Sequence, residues 1–326
     1  MLRRALLGLA LLLALPMAVA CSEDEEMVLR FGLLPSEDAE KVLEEAEALK
    51  AYLEDQIEGL TVELFIGPNY AATIEAMKSD EVDFAYFGPF SYYLARESGA
   101  AVEAEMAFQQ GETTPGYYSV LYARQDSGIT SLADLAGKEG TIPVAFVDPG
   151  STSGGLAPSA MIVAAGLDLA KIGESTIWAG GHDKSALATF QGTTQVGASF
   201  EAMLYDLCNQ GLIAGVIDSA GGGQYPGDCD SDVGSDADKL VTLQKFLLPA
   251  SPIAARTNMD AELRQQVIDA MLSWSTNDPA GFARFAEVTE GLDNEADVKL
   301  VAYGNENYAG IDAMCSSEEL KELCPK

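Results

Sequence analysis

Seven consecutive residues, Asp148-Pro149-Gly150-Ser151-Thr152-Ser153-Gly154, carry the densest chemistry in the chain. Glycine and three hydroxyl side chains stand where an apolar run, 141–147, gives way to a helical pattern over 153–165. Backbone N–H groups at such a turn lack partners within the helix, the helix dipole adds partial positive charge, and the hydroxyls donate further bonds. That combination makes a cradle for an oxyanion. No Lys or Arg lies within the motif, so an anion there would be held by dipoles rather than by a fixed cation. A plainer reading competes: a Ser/Thr cluster ahead of a helix also serves as an ordinary N-cap.

The elements around this turn must position it. Short apolar strands alternate with amphipathic helices from Val28 onward. Residues 28–34 read as a strand, Pro35-Ser36 as a break with Ser36 as N-cap, and 37–57 as a helix with Val42, Leu43, Ala46, Leu49 and Leu53 on one face. Strands over 61–66 and 82–87 flank a helix over 70–78. Further strands are expected at 117–124, 175–178 and 195–199, a capping box at Ser131 and Asp134, and a helix at 260–276. This alternation predicts an α/β protein whose sheets are mainly parallel and covered on both faces.

Arg3 and Arg4 precede the apolar stretch 5–15, followed by Ala18-Val19-Ala20-Cys21. The pattern predicts a signal peptide over 1–20, too short for a comfortable membrane span. Small residues before a cysteine point to a lipidated Cys21, with 21–26 as tether; a plain signal-peptidase site is the alternative, and the paired arginines leave the export route open. The remaining residues suffice for two domains.

Four further cysteines, an even number in an exported chain, favour disulfides, and proximity pairs Cys208–Cys229 and Cys315–Cys324. Each would contribute about 3 kcal/mol by the chain-entropy argument. No CxxC or Cys/His pairing accompanies them and His182 is the sole histidine, so no metal is expected. Asp228, Asp230 and Asp232 approximate a calcium loop, but the glycine falls a place late and Lys239 stands where a closing Glu belongs. With 51 acidic against 19 basic residues, a formal charge of −32, nucleic acid is excluded as a partner.

Five stretches occur in order: Gly67-Pro68-Asn69-Tyr70, Ala85-Tyr86-Phe87-Gly88-Pro89, Pro115-Gly116-Tyr117-Tyr118-Ser119-Val120-Leu121, the 148–154 turn, and Ala179-Gly180-Gly181-His182-Asp183. Together, over 28–272, they resemble the phosphate/phosphite/phosphonate-binding lipoproteins of ABC importers. The resemblance implies a two-lobed type II periplasmic-binding-protein fold with the ligand closed between lobes. Lobe one would comprise 27–120 and 250–326, lobe two 121–249, with crossing strands near Leu121 and Pro249. It further implies oxyanion contacts from Ser151, Thr152 and Ser153, with Tyr70, Tyr117 and His182 completing the shell. Tyr86 joins them as a cleft-lining candidate, although aromatic residues at such a junction also build core. Only one of Tyr117 and Tyr118 can face the cleft, because strand side chains alternate; Tyr117 is the candidate. Asp183 and Glu201 are candidate acceptors for a P–OH proton, which would separate phosphate or phosphite from sulfate.

The implied partners are a phosphorus oxyanion and an ABC permease with its ATPase, with the membrane reached only through the lipid anchor. The chain is expected to act outside the cytoplasm as a monomer without a cofactor. Where aminoalkylphosphonate binders of the family place acidic residues, this chain has Ser251 and Gly197, which favours phosphate, phosphite or methylphosphonate. Two alternatives stand beside this reading. One is a sensor subunit with the same fold. The other is a secreted hydrolase using Ser151–Ser153 with His182, although the chain has no GxSxG, HExxH, P-loop or dinucleotide fingerprint.

Overall fold

The computed structural model describes residues 27–225, 227–290 and 297–324; the expected leader, Cys21 and its tether lie outside them. No helix among the described residues is long and apolar enough to cross a membrane. The chain opens with β1 (Met27–Leu33), α1 (Ala39–Gln56), β2 (Leu60–Ile66), α2 (Tyr70–Lys78), β3 (Phe84–Tyr86), α3 (Pro89–Glu97) and β4 (Val102–Gln110). A middle run follows: β5 (Gly116–Arg124), β6 (Val144–Phe146), α4 (Ala157–Ala164), α5 (Leu169–Glu174), β7 (Thr176–Trp178), α6 (His182–Phe190), β8 (Val196–Phe200), α7 (Glu201–Asn209), β9 (Gly215–Ile217), β10 (Cys229–Asp230) and β11 (Leu240–Pro249). The chain then returns through β12 (Ile253–Arg256), α8 (Ala261–Asn277), α9 (Pro279–Glu290), β13 (Val298–Ala302) and α10 (Ala309–Cys315).

The first and last runs build one sheet, ordered β13-β4-β12-β3-β1-β2, and the middle run builds the other, ordered β10-β9-β11-β5-β8-β6-β7. This is the expected two-lobed α/β architecture. The sheets are mixed, however, rather than mainly parallel. The pairs β1–β2, β1–β3, β6–β7 and β6–β8 are parallel, as βαβ units require. Strands β5 and β12, the first after each passage between lobes, pair antiparallel with both their neighbours. The passages are 111–115 and 250–252. All of β5 therefore hydrogen-bonds within the second sheet, including the residues before Leu121.

Periodicity explains the first lobe's core. Leu29, Phe31 and Leu33 alternate inward from β1, and α1 lays Val42, Ala46, Leu49 and Leu53 on them at helical spacing. Phe31, Phe84, Phe285 and Trp274 complete that core. The start of α1 differs from expectation. Asp38, not Ser36, is the cap, its carboxylate accepting the Glu40 and Lys41 amides at 3.0 and 3.2 Å. The Ser36 carbonyl instead accepts the His182 amide, 2.7 Å away on the other lobe.

Both disulfides form as proximity suggested, Cys208–Cys229 tying α7 to β10 and Cys315–Cys324 stapling the C-terminal stretch. Part of the acidic loop between β9 and β11 is held by ion pairs. Lys239 pairs with Asp230 and Asp236, and Arg124 pairs with Asp238.

Candidate functional site

Strand β6 ends in the 148–154 turn, and the turn's shape follows from its residue types. Ser151 caps the next helical turn, its Oγ accepting the Gly154 amide at 3.1 Å. That turn, Thr152–Leu156, is wider than an α-turn, with the Leu156 amide reaching back to the Ser151 carbonyl; such π-turns are frequent at binding sites. Glycine is required here. A Cβ on Gly154 would stand 2.1 Å from Val147 Cγ2, and one on Gly155 would stand 2.7 Å from the Asp148 carbonyl oxygen. Asp148 Oδ1 accepts the Gly150 amide at 2.7 Å and holds the bend, while burial raises its carboxyl above the ordinary range.

Ser151, Thr152 and Ser153 are all buried and line one cavity of ≈ 40 Å³. About 10–15 Å³ of such space holds one water, so the cavity suits a small tetrahedral anion and little more. Its other walls are Leu34, Ser36, Tyr70, Tyr86, Gly88, Tyr117, His182, Phe200 and Ser251. Strand alternation separates Tyr117 from Tyr118, which lines a different cavity of ≈ 350 Å³. Tyr70 opens α2, whose cap Asn69 accepts the Ala72 amide at 2.9 Å. Its hydroxyl bonds Ser151, and burial pushes the phenol above its ordinary value.

The two lobes meet over this cavity. Thr152 Oγ1 accepts the Phe90 amide at 2.8 Å, capping the N-terminus of α3 from the opposite lobe. A Cβ on Gly88 would come within 2.8 Å of the same oxygen. His182, the first residue of α6, places its ring between Ser151 and Ser199: Nε2 lies 3.4 Å from Ser151 Oγ and Nδ1 3.0 Å from Ser199 Oγ. Phe200 packs on the imidazole at a centroid distance of 4.8 Å. Burial pulls the His182 pKa down to about 3, so the ring is neutral across the physiological range. Hydroxyls and one neutral imidazole thus face the cavity, and no Lys, Arg, Asp or Glu lines it.

Two expected residues lie elsewhere. Glu201 opens α7, but its carboxylate turns to Lys245, Oε1 standing 2.6 Å from Nζ, and Oε2 accepts the Gln224 amide at 2.8 Å. Asp183 follows His182 on α6 and is not in the cavity wall; its charge adds slightly to the raised pKa of Glu37. Both were assigned by nearness in sequence, and a helix turns successive side chains through large angles. Leu34, Phe200 and Ser199 escaped the sequence reading. Ser199 had one signal, its place two residues from Gly197 on a buried strand, but nothing in the chain tells which side chain crosses to the histidine.

A family model described as ABC transporter, phosphonate, periplasmic substrate-binding protein matches residues 31–301. The phosphate-import protein PhnD of Mycolicibacterium smegmatis is 39% identical over 181 residues, which is 52% of this chain and 54% of that protein. The phosphonates-binding periplasmic protein of Escherichia coli is 32% identical over 171 residues, 52% of this chain and 49% of that one. The chain thus matches about half the length of these curated relatives. Among solved structures, a binding protein component of an ABC phosphonate transporter from Pseudomonas aeruginosa shares the fold. Its TM-score is 0.71 at 23% identity, covering 89% of this chain and 86% of that one.

Proposed function

We propose, because the chain belongs to the periplasmic substrate-binding protein family of phosphonate ABC transporters, that it captures a phosphorus oxyanion between its lobes and hands it to an ABC permease driven by its ATPase. The observation that carries this reading is a cavity of ≈ 40 Å³ whose polar lining is hydroxyl groups and a neutral imidazole, with no carboxylate among the described lining residues to repel an anion. Hydroxyls and amides donate to phosphoryl oxygens, and hydrogen bonds to a charged acceptor are among the stronger ones.

The size and chemistry of the walls favour phosphate, phosphite or methylphosphonate over an aminoalkylphosphonate. An ammonium group would need a carboxylate, and the nearest candidate positions offer none. Ser251 lines the cavity with a hydroxyl. Gly197 has no room for a side chain, since a Cβ would stand 2.4 Å from the Tyr122 ring. We read the protein as non-catalytic. A Ser–His relay needs an acid to orient the histidine, and here Nδ1 meets the Ser199 hydroxyl while Asp183 lies outside the cavity wall.

Lobe one on this reading is about 27–115 with 250–324 and lobe two about 116–249, the expected boundary at 120 moving back because all of β5 hydrogen-bonds within the second sheet. A lipid on Cys21 would keep the loaded monomer beside its permease on the extracytoplasmic side. The test is calorimetric titration of the purified protein with phosphate, phosphite, methylphosphonate, aminoethylphosphonate and sulfate. Micromolar or tighter binding of a small phosphorus oxyanion is expected. Preference for aminoethylphosphonate would overturn the ligand assignment, and silence across the panel would overturn the reading as a whole.

A further inference from the structure

His182 is the only ring nitrogen donor facing the cavity, and which of its nitrogens carries the proton decides whether it attracts or repels an anion. A neutral imidazole has one N–H and one lone pair. If the proton sits on Nδ1, the Nε2 lone pair points toward Ser151 and the anion space. With the proton on Nε2, an N–H points there instead.

The neighbours of the ring settle the choice. Among the described residues, the Ser199 hydroxyl has one hydrogen-bond partner, His182 Nδ1 at 3.0 Å, and Ser199 is fully buried. Were Nδ1–H the donor, the Ser199 proton would have no acceptor, and an unmet buried hydroxyl proton carries a desolvation penalty. With Ser199 donating to Nδ1, both groups are satisfied and Nε2 holds the proton. On the other side of the ring, Ser151 Oγ already accepts the Gly154 amide and bonds Tyr70. Its separation of 3.4 Å from Nε2 is long. The Nε2–H therefore has no good internal acceptor, and an anion placed in the cavity can supply one.

The ring's posture is fixed independently of any ligand. Its backbone amide is held by the Ser36 carbonyl at 2.7 Å, and Phe200 meets its face edge-on. Ser199 itself sits in the middle of a sheet, its position opposite Val120 set by the β5–β8 pairing. A carboxylate on Nδ1 would favour the imidazolium. A serine hydroxyl orients the ring without that charge.

We propose that Ser199 is a positioning residue for ligand capture: its hydroxyl donates to Nδ1 and locks His182 as the Nε2–H tautomer, so that a neutral imidazole donates to the bound oxyanion. The inference rests on the oxyanion reading above for its ligand, but its central claim is a property of the empty protein. Recognition then works by pre-set donors rather than by a titrating cation, and the donor does not disappear as pH rises through the ordinary histidine range.

The sole histidine makes the test unambiguous, because nitrogen NMR of protein labelled with ¹⁵N-histidine reports one ring. Ligand-free wild type should show a protonated Nε2 and a bare Nδ1 from pH 8 down to pH 5. A Nδ1–H tautomer or an imidazolium in that range would overturn the proposal, whatever any variant does. In S199A the Nε2–H preference should be lost, giving a tautomer mixture, and phosphate affinity should fall about tenfold, as for one lost hydrogen bond to a charged group. S199T, which keeps the hydroxyl, should restore the wild-type tautomer. An unchanged tautomer and unchanged affinity in S199A would also overturn it. If wild type shows the Nε2–H ring yet binds none of the phosphorus oxyanions, the ligand reading fails and the tautomer lock stands.

Discussion

Two of the polar clusters buried in the second lobe are built on opposite plans. Around Lys245 one ammonium is fixed between two carboxylates: Nζ lies 2.6 Å from Glu201 Oε1, 2.8 Å from Asp218 Oδ1, and donates to the Gly222 carbonyl at 2.9 Å. Around the 148–154 turn no charged side chain among the described residues enters the cavity wall, which Ser151, Ser153 and His182 line with neutral hydrogen-bonding groups. A cluster that supplies its own counter-charge has no reason to take a ligand. The other presents hydroxyls and a neutral imidazole, and on the proposed reading an oxyanion accepts from them. In a chain of net charge −32, keeping carboxylates out of that cavity matters more than adding a cation to it, because the long-range field already opposes an anion.

The comparison breaks most sharply at the cradle. Replacing Ser151 and Ser153 together by Ala should remove two donors to a charged ligand, which at about 1.5–3 kcal/mol each lowers oxyanion affinity by a hundredfold or more. The urea midpoint should shift less, since the internal partners lost are the Gly154 amide and the Tyr70 hydroxyl, with the long contact to His182 Nε2, while the contact from Ser119 is to the Ser153 carbonyl and stays. Titration of the double variant alongside a urea curve checks both parts. An affinity within threefold of wild type would mean that the turn is only a helix cap.

Lys245→Met should do the reverse. The side chains of Lys245 and Glu201 are 4% and 0% exposed, so the variant leaves Glu201 and Asp218 buried without their cation. Breaking a buried pair from one side costs about 3–5 kcal/mol. The loss should appear as a lower urea midpoint, while the folded fraction keeps its oxyanion affinity within a few-fold. A variant that is as stable as wild type but cannot bind phosphate would put Lys245 in the ligand machinery and dissolve the distinction between the two clusters.

These clusters also mark where sequence reading works and where it stops. Helix α2 occupies the residues expected of it, and the structure adds its cap, Asn69. The cradle was visible because glycine and hydroxyl residues at a strand–helix turn carry their chemistry locally. The expected strand at 141–147 shrank to Val144–Phe146, since apolar character extends past the residues that find ladder partners. The sheets' antiparallel strands were hidden because their direction is set by the passages between lobes. Glu201 was misassigned because its destination depends on Lys245 and Gln224, residues brought close only by folding, and Asp183 because a helix turns successive side chains apart. Ser36 looked like a cap by type, yet Asp38 stood two places on with a stronger acceptor for the same amides.

The smallest effect concerns the rim of the cleft, where charge is neither complete nor absent. Glu37, just ahead of the α1 cap Asp38, is buried, and burial pushes its pKa up to about 7; Lys41 pulls the other way, and Asp206 and Asp183 of the opposite lobe add to the rise. Its folded pKa therefore lies above its unfolded one, so the folded state holds the proton more tightly. The stabilising contribution is fully present below about pH 4.5 and is lost as pH rises through about 7. His182 has the opposite sign, its depressed pKa costing stability only as pH falls below the ordinary histidine range. Glu37→Gln keeps the shape and removes the titration. The difference between wild-type and E37Q urea stability should thus change by on the order of 1 kcal/mol between pH 5 and pH 8, wild type losing ground as pH rises. A flat difference across the range would show that Lys41 alone balances Glu37, and the rim would then be a finished ion pair like the one around Lys245.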